Sequence, residues 1–218
     1  VSRALFSFAA KALMVCAGLV FSAGFVLAQT APGPAILTLD MDFPAASPSH
    51  YTLQVAADGS GKYSAGETGR DYRQDFQLSA QAVAPWFARA RGLHFFTGNF
   101  QSGRKVAFTG TKKISYRGPD GSGAATFVDT EDPQMARLTA DLQQLVLTLQ
   151  TGEMLESHLR HQRMMLDADL DDYQHALNGH MASHPEAIAP ALQQIVDSPD
   201  AMGRAVRKAR AILAGAER

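Results

Sequence analysis

The chain predicts an α+β fold: an antiparallel sheet of about six strands with one helix packed on it, followed by a C-terminal helical region of about four helices. Three observations carry this reading. In the first half apolar residues alternate with polar ones, the pattern of half-buried strands. From Asp132 onward they recur at 4-3-4 spacing, the pattern of helices with one buried face. The turns between the early segments are built from Asp, Gly and Pro, which suit hairpins. Strands first and helices later point to segregated layers rather than alternating β–α units.

The strands come in order. Leu37, Leu39, Met41 and Phe43 alternate with Thr38, Asp40 and Asp42. Tyr51, Leu53 and Val55 alternate with Thr52 and Gln54, and Asp58-Gly59 turns the chain into Lys62-Tyr63-Ser64. Tyr72, Phe76 and Leu78 share one phase of the next segment. Segments 105–109, 113–117 and 124–129 read as three more strands, the last two joined through Gly118-Pro119-Asp120-Gly121.

The helices have recognisable ends. Ser79 is an N-cap for a helix that closes at Gly92, with Val83, Phe87 and Ala90 as its stripe and Pro85 inside it. Asp132-Pro133 opens a long helix carrying Leu138, Leu142, Leu145 and Leu149. Leu166, Leu170, Tyr173 and Leu177 mark a second tail helix ending at Gly179, and 190–196 a third. Ser198-Pro199 is read as the cap of a fourth, with Met202, Val206, Ala209 and Leu213 inward and Arg204, Arg207, Lys208 and Arg210 outward.

The N-terminus reads as an export signal. Arg3 and Lys11 precede an apolar block from Ala12 to Leu27, and Val26 and Ala28 fit the small-residue positions of a cleavage site. The expected layout is a cleavable signal at 1–28, a Pro/Gly linker at 29–34, a sheet domain at 35–150 and a helical extension at 151–218. The expected location is exported, periplasmic or secreted. Cleavage leaves 190 residues with a net charge of about −3, since Arg3 and Lys11 depart and no acid does. That balance gives no basic footprint for nucleic acid. No later apolar run is long enough to span a bilayer. The one cysteine, Cys16, lies in the signal, so the processed chain has no thiol chemistry and no disulfide.

Between Tyr51 and Leu149, the landmarks Tyr51-Thr52-Leu53-x-Val55, Asp58-Gly59, Tyr63, Phe76-x-Leu78-Ser79 and Leu138-x3-Leu142 stand in sequence. This layout resembles a type of exported bacterial domain of uncharacterised role. The resemblance implies an α+β fold and no particular activity.

Several segments carry candidate chemistry. The sharpest is a stripe of Met154, His158, His161 and Met165, at i, i+4, i+7 and i+11 of a continuous helix, with His175 in reserve. Imidazole and thioether together suit copper, and a chain without thiols has only these soft ligands. The competing reading is a widened apolar face beside Leu155, Leu159 and Leu166. Asp40 and Asp42 share one face of the first strand, where they flank a site if that face is open. Gly98–Lys105 has the glycines of a phosphate loop, but Arg104 and Lys105 stand where Lys and a hydroxyl are required, so an ordinary loop is expected. Asp167, Asp169 and Asp171 begin like a calcium loop, but Asp172 and Asn178 replace the required Gly and Glu, leaving acidic residues at a helix N-terminus. No nucleophile elbow or HExxH is present. The expected function is non-enzymatic binding of an envelope or secreted macromolecule, or of a small ligand. Copper handling and an unrecognised hydrolase site are the alternatives.

Overall fold

The computed structural model describes residues 33–67 and 70–216. The expected signal, and all of the linker but Gly33 and Pro34, lie outside the described residues. Six strands form one antiparallel sheet in the order β4-β3-β2-β1-β5-β6. β1 (Ile36–Asp42), β2 (His50–Ala56), β3 (Ser60–Glu67) and β4 (Arg70–Gln77) make a meander. Helix α1 (Ala80–Gly92) and a 3-10 turn (His94–Phe96) then carry the chain back, so that β5 (Thr111–Gly118) pairs with β1 and β6 (Gly121–Phe127) closes the sheet. Four tail helices follow: α2 (Pro133–His161), α3 (Leu166–Asn178), α4 (Ala189–Asp197) and α5 (Gly203–Ala216). This is the α+β architecture expected from the patterning.

The local chemistry of the turns and caps is as read. Gly59 takes φ +87°, and Asp58 Oδ1 accepts from the Ser60 amide at 2.9 Å, closing the β2–β3 turn. Ser79 Oγ accepts from the Ala82 amide at 3.1 Å. Asp132 Oδ1 accepts from the amides of Gln134 and Met135, and Pro133 follows it. Pro85 lies within α1 without ending it, because Val83, Trp86, Phe87 and Ala90 are buried around it.

Alternation sorts the sheet into two faces. Leu37, Leu39, Leu53, Val55, Tyr63, Ile114 and Tyr116 are buried beneath helices. A tyrosine ladder crosses that face, Tyr51 to Tyr63 to Tyr72, with ring centroids 6.2 and 6.3 Å apart. α2 runs over this ladder. Gln143 lies against Tyr51, Gln150 against Tyr63, and Glu153 and Glu156 near Tyr72. Burial raises the pKa of all three phenols, so they are neutral over the working pH range.

The boundary expected at 150 falls inside α2. Side chains from both sides of it, from Leu37 to Ile212, join one buried cluster. The contact that seals them is close: a Cβ on Gly152 would lie 2.6 Å from Ile188 Cγ2. Gly→Ala inside a helix ordinarily stabilises by about 1 kcal/mol. Gly152→Ala is expected to destabilise instead, by about 1–3 kcal/mol of overpacking. Gly215→Ala in α5, with nothing within 4 Å, is the open-space control. Urea melts of the two variants should move in opposite directions.

Two elements differ from expectation. Segment 105–109 forms no strand. β1 pairing ends at Asp42 opposite Thr111, and Gly110 takes φ +90°, where a Cβ would lie 2.5 Å from Met41 Cε and 2.7 Å from Phe43 Cβ. Among the described residues, segment 105–109 has no neighbouring strand to pair with. The fourth tail helix starts at Gly203 rather than at Ser198-Pro199, which form a turn. Its buried residues are Ala205, Ala209 and Ile212, while Met202, Val206 and Leu213 are half-buried.

Candidate functional site

The helices cover one sheet face, and among the described residues no helix lies over the other. Cross-strand register lays the bare face out in rows. One row reads Arg73, Ser64, Thr52, Asp40, Lys113 and Thr126 from β4 to β6. The next reads Asp75, Lys62, Gln54, Thr38, Ser115 and Ala124. A groove of about 660 Å³ lies over β2–β4, with His50, Lys62, Arg73 and Asp75 in its wall. A second, of about 450 Å³, lies over β1, β5 and β6 beside Lys113 and Arg117. Gln54 lines both, so the two grooves meet at the middle of the sheet.

The charges on this face stand opposite one another across the strands. Asp75 faces Lys62 and Asp40 faces Lys113 across neighbouring strands. Yet among the described residues neither pair closes into a salt bridge, and Arg73 and Arg117 have no carboxylate partner either. Asp40 Oδ1 instead accepts from Thr52 Oγ1 at 2.7 Å. Elsewhere Arg89, Arg91, Arg104, Arg137, Arg163, Arg204 and Lys208 meet carboxylates, while among the described residues Lys105, Lys112, Arg160, Arg207 and Arg210 do not. Ser64, Thr52, Gln54, Thr38 and Ser115 form a band of hydroxyl and amide groups between two cationic flanks. Asp40 and Asp42 do share the open face, as their alternation predicts. The sequence places Lys62, Lys113 and Arg117 on polar phases, but only strand order shows which of them border one surface.

The histidine and methionine candidates do not form one helical stripe. α2 ends at His161, and a 3-10 turn at Arg163–Met165 separates Met165 from it. Met154 and Met165 are 36% and 45% exposed, and His161 is exposed. His158 turns toward α3, where its Nδ1 donates to Asp169 Oδ2 at 2.6 Å. His175 Nδ1 donates to the Asp171 carbonyl one turn back. Among the described residues no group of three or more His, Cys, Asp or Glu is placed to hold a metal ion.

The other motifs serve packing. Asp167, Asp169 and Asp171 diverge: Asp169 meets His158, Asp171 meets Lys208, and Asp167 meets both Arg204 and Lys208. Two members of the basic stripe on α5 therefore clamp it to α3. In segment 98–105, Ser102 Oγ donates to Glu131 and Arg104 pairs with Asp129 and Glu131, so the loop is tied to acidic side chains.

The clamp has a pH signature. Hydrogen bonding from Lys208 lowers the Asp167 pKa, and Asp167 and Asp171 raise that of Lys208. A depressed carboxyl adds stability above its unfolded value of about 3.9, lost as pH falls through the folded value. A raised amine adds stability below its unfolded value of about 10.4, lost as pH rises through the folded value. Asp167→Asn should flatten the acid flank of a Tm–pH curve and part of the alkaline flank, where Asp171 still holds Lys208, and Lys208→Met should flatten both flanks.

Comparison with known proteins finds no matching family model and no matching curated sequence. Among the described residues no helix is long and apolar enough to cross a membrane.

Proposed function

We propose that this is a non-enzymatic binding domain of the cell envelope or the secreted fraction, and that it holds an anionic, hydroxyl-rich chain on the open sheet face. Export is inferred from the signal pattern at 1–28. The observation that carries the binding reading is the set of four cations, Lys62, Arg73, Lys113 and Arg117, which lie on the one bare face without carboxylate partners among the described residues. Fixed charges of this kind attract and orient a ligand of opposite sign. The hydroxyl and amide band between them suits sugar hydroxyls. An acidic polysaccharide offers both groups in one polymer.

The probe is an oligogalacturonate, titrated into the labelled protein and followed by NMR. Shifts should concentrate on the open-face strands, and affinity should fall with added salt. The paired changes Lys62→Ala/Arg73→Ala and Lys113→Ala/Arg117→Ala should each weaken binding about tenfold, roughly 1.4 kcal/mol. Binding that maps to the helices, or none to the wild-type protein, would discard the open face as the site.

A further inference from the structure

The charges change sign across the open face. β3 and β4 bring Lys62 and Arg73, and β5 brings Lys113 and Arg117. β1, which lies between these flanks, brings Asp40 and Asp42 and no cation. Asp40 is half-buried, and its Oδ1 accepts from Thr52 Oγ1 at 2.7 Å, so its carboxylate is held within the hydroxyl band. Asp75 also lies on this face, but on the outer strand, opposite Lys62 and two residues from Arg73. Neighbouring strands lie about 4.8 Å apart, so Arg73 and Lys113, at β4 and β5 of one row, stand about 19 Å apart with Asp40 between them.

We infer that β1 makes the open face selective among acidic polysaccharides: it accepts chains whose acidic sugars are separated by neutral ones and disfavours chains with an acid on every sugar. The inference rests on the reading of the open face as a polysaccharide site. A chain that reaches both cationic flanks must cross β1. With a carboxylate on every sugar, each register sets one beside Asp40 or Asp42, where like charges repel. With carboxylates on alternate sugars, one register turns the acids toward the flanks and lays a neutral sugar over β1. Asp40 then accepts from sugar hydroxyls, because a carboxylate that takes one hydrogen bond keeps further acceptor sites. Net charge alone would rank the two chains the other way, since the denser chain is drawn more strongly to the four cations.

The test compares two hexasaccharides by calorimetry at low salt: a hyaluronan fragment, with an acid on alternate sugars, and hexagalacturonate, with an acid on each. The hyaluronan fragment should bind the wild-type protein about fivefold more tightly despite its lower charge. Asp40→Asn removes the charge and keeps an oxygen to accept from Thr52. It should raise the affinity for hexagalacturonate about fivefold more than that for the hyaluronan fragment, and Asp42→Asn should act in the same direction. Asp75→Asn should raise both affinities alike, because it lies in a flank that either chain loads. Tighter wild-type binding of hexagalacturonate, or an equal gain for both chains in Asp40→Asn, would overturn the selectivity and leave the open face as the site. No effect of Lys62→Ala/Arg73→Ala or Lys113→Ala/Arg117→Ala on either chain would discard the open face itself, and the selectivity with it.

Discussion

Phe96→Ala is expected to lower the unfolding free energy by about 4 kcal/mol, read from a urea melt. Phe96 is fully buried. Its position is also conformationally costly. His94, Phe95 and Phe96 take φ of 49°, 55° and 67°, three consecutive non-glycine residues in the left-handed region. Each such residue costs roughly 1–2 kcal/mol. The turn persists because its side chains are held. Phe96 enters the core, and Phe95 lies against Tyr116 with centroids 4.9 Å apart. Gly121 and Gly123 leave room for it, since a Cβ on either would come within 2.4 Å of Phe95. Removing the Phe96 ring therefore takes away both the burial and the restraint on the strained turn. The converse change tests the strain. His94 is exposed, and His94→Gly should stabilise by about 1 kcal/mol, because glycine tolerates positive φ. A destabilised His94→Gly would show that the turn is not strained.

His158→Ala is expected to cost about 3 kcal/mol, because it leaves the buried Asp169 carboxylate without its hydrogen-bond donor. Asp169 is 6% exposed, and His158 is the partner its carboxylate meets. Alanine leaves that carboxylate in the core between α2 and α3 without a donor. Replacing both partners with leucine should cost less than the single change, because the stranded charge disappears too. Equal losses in the single and double variants would show that packing, not the hydrogen bond, holds the two helices. The same comparison bears on the copper reading, since His158 is already engaged with Asp169 in the folded chain.

Much of the fold was legible because its signals are local. Asp58-Gly59, Ser79 and Asp132-Pro133 act on amides within three residues, so neighbours in sequence suffice to place them. The Met154–Met165 stripe was misplaced because helical spacing continues on paper where the backbone does not. The helix ends at Gln162, and His158 is drawn across to Asp169, a partner eleven residues away on another helix. The α5 stripe erred for a related reason. Hydrophobicity favours Met202, Val206 and Leu213, whereas close helix packing favours the alanines.

By itself the sequence determined the α+β class, the polar and apolar phases of the strands, and the caps. These follow from periodicity and from chemistry within a few residues. Tertiary structure alone decided the strand order β4-β3-β2-β1-β5-β6, and with it which polar side chains share one bare face. It also decided that Lys105–Thr109, strand-like in composition, has no partner strand among the described residues. A strand is completed by its neighbour, and neighbours in a sheet are set by long-range pairing that alternation cannot encode.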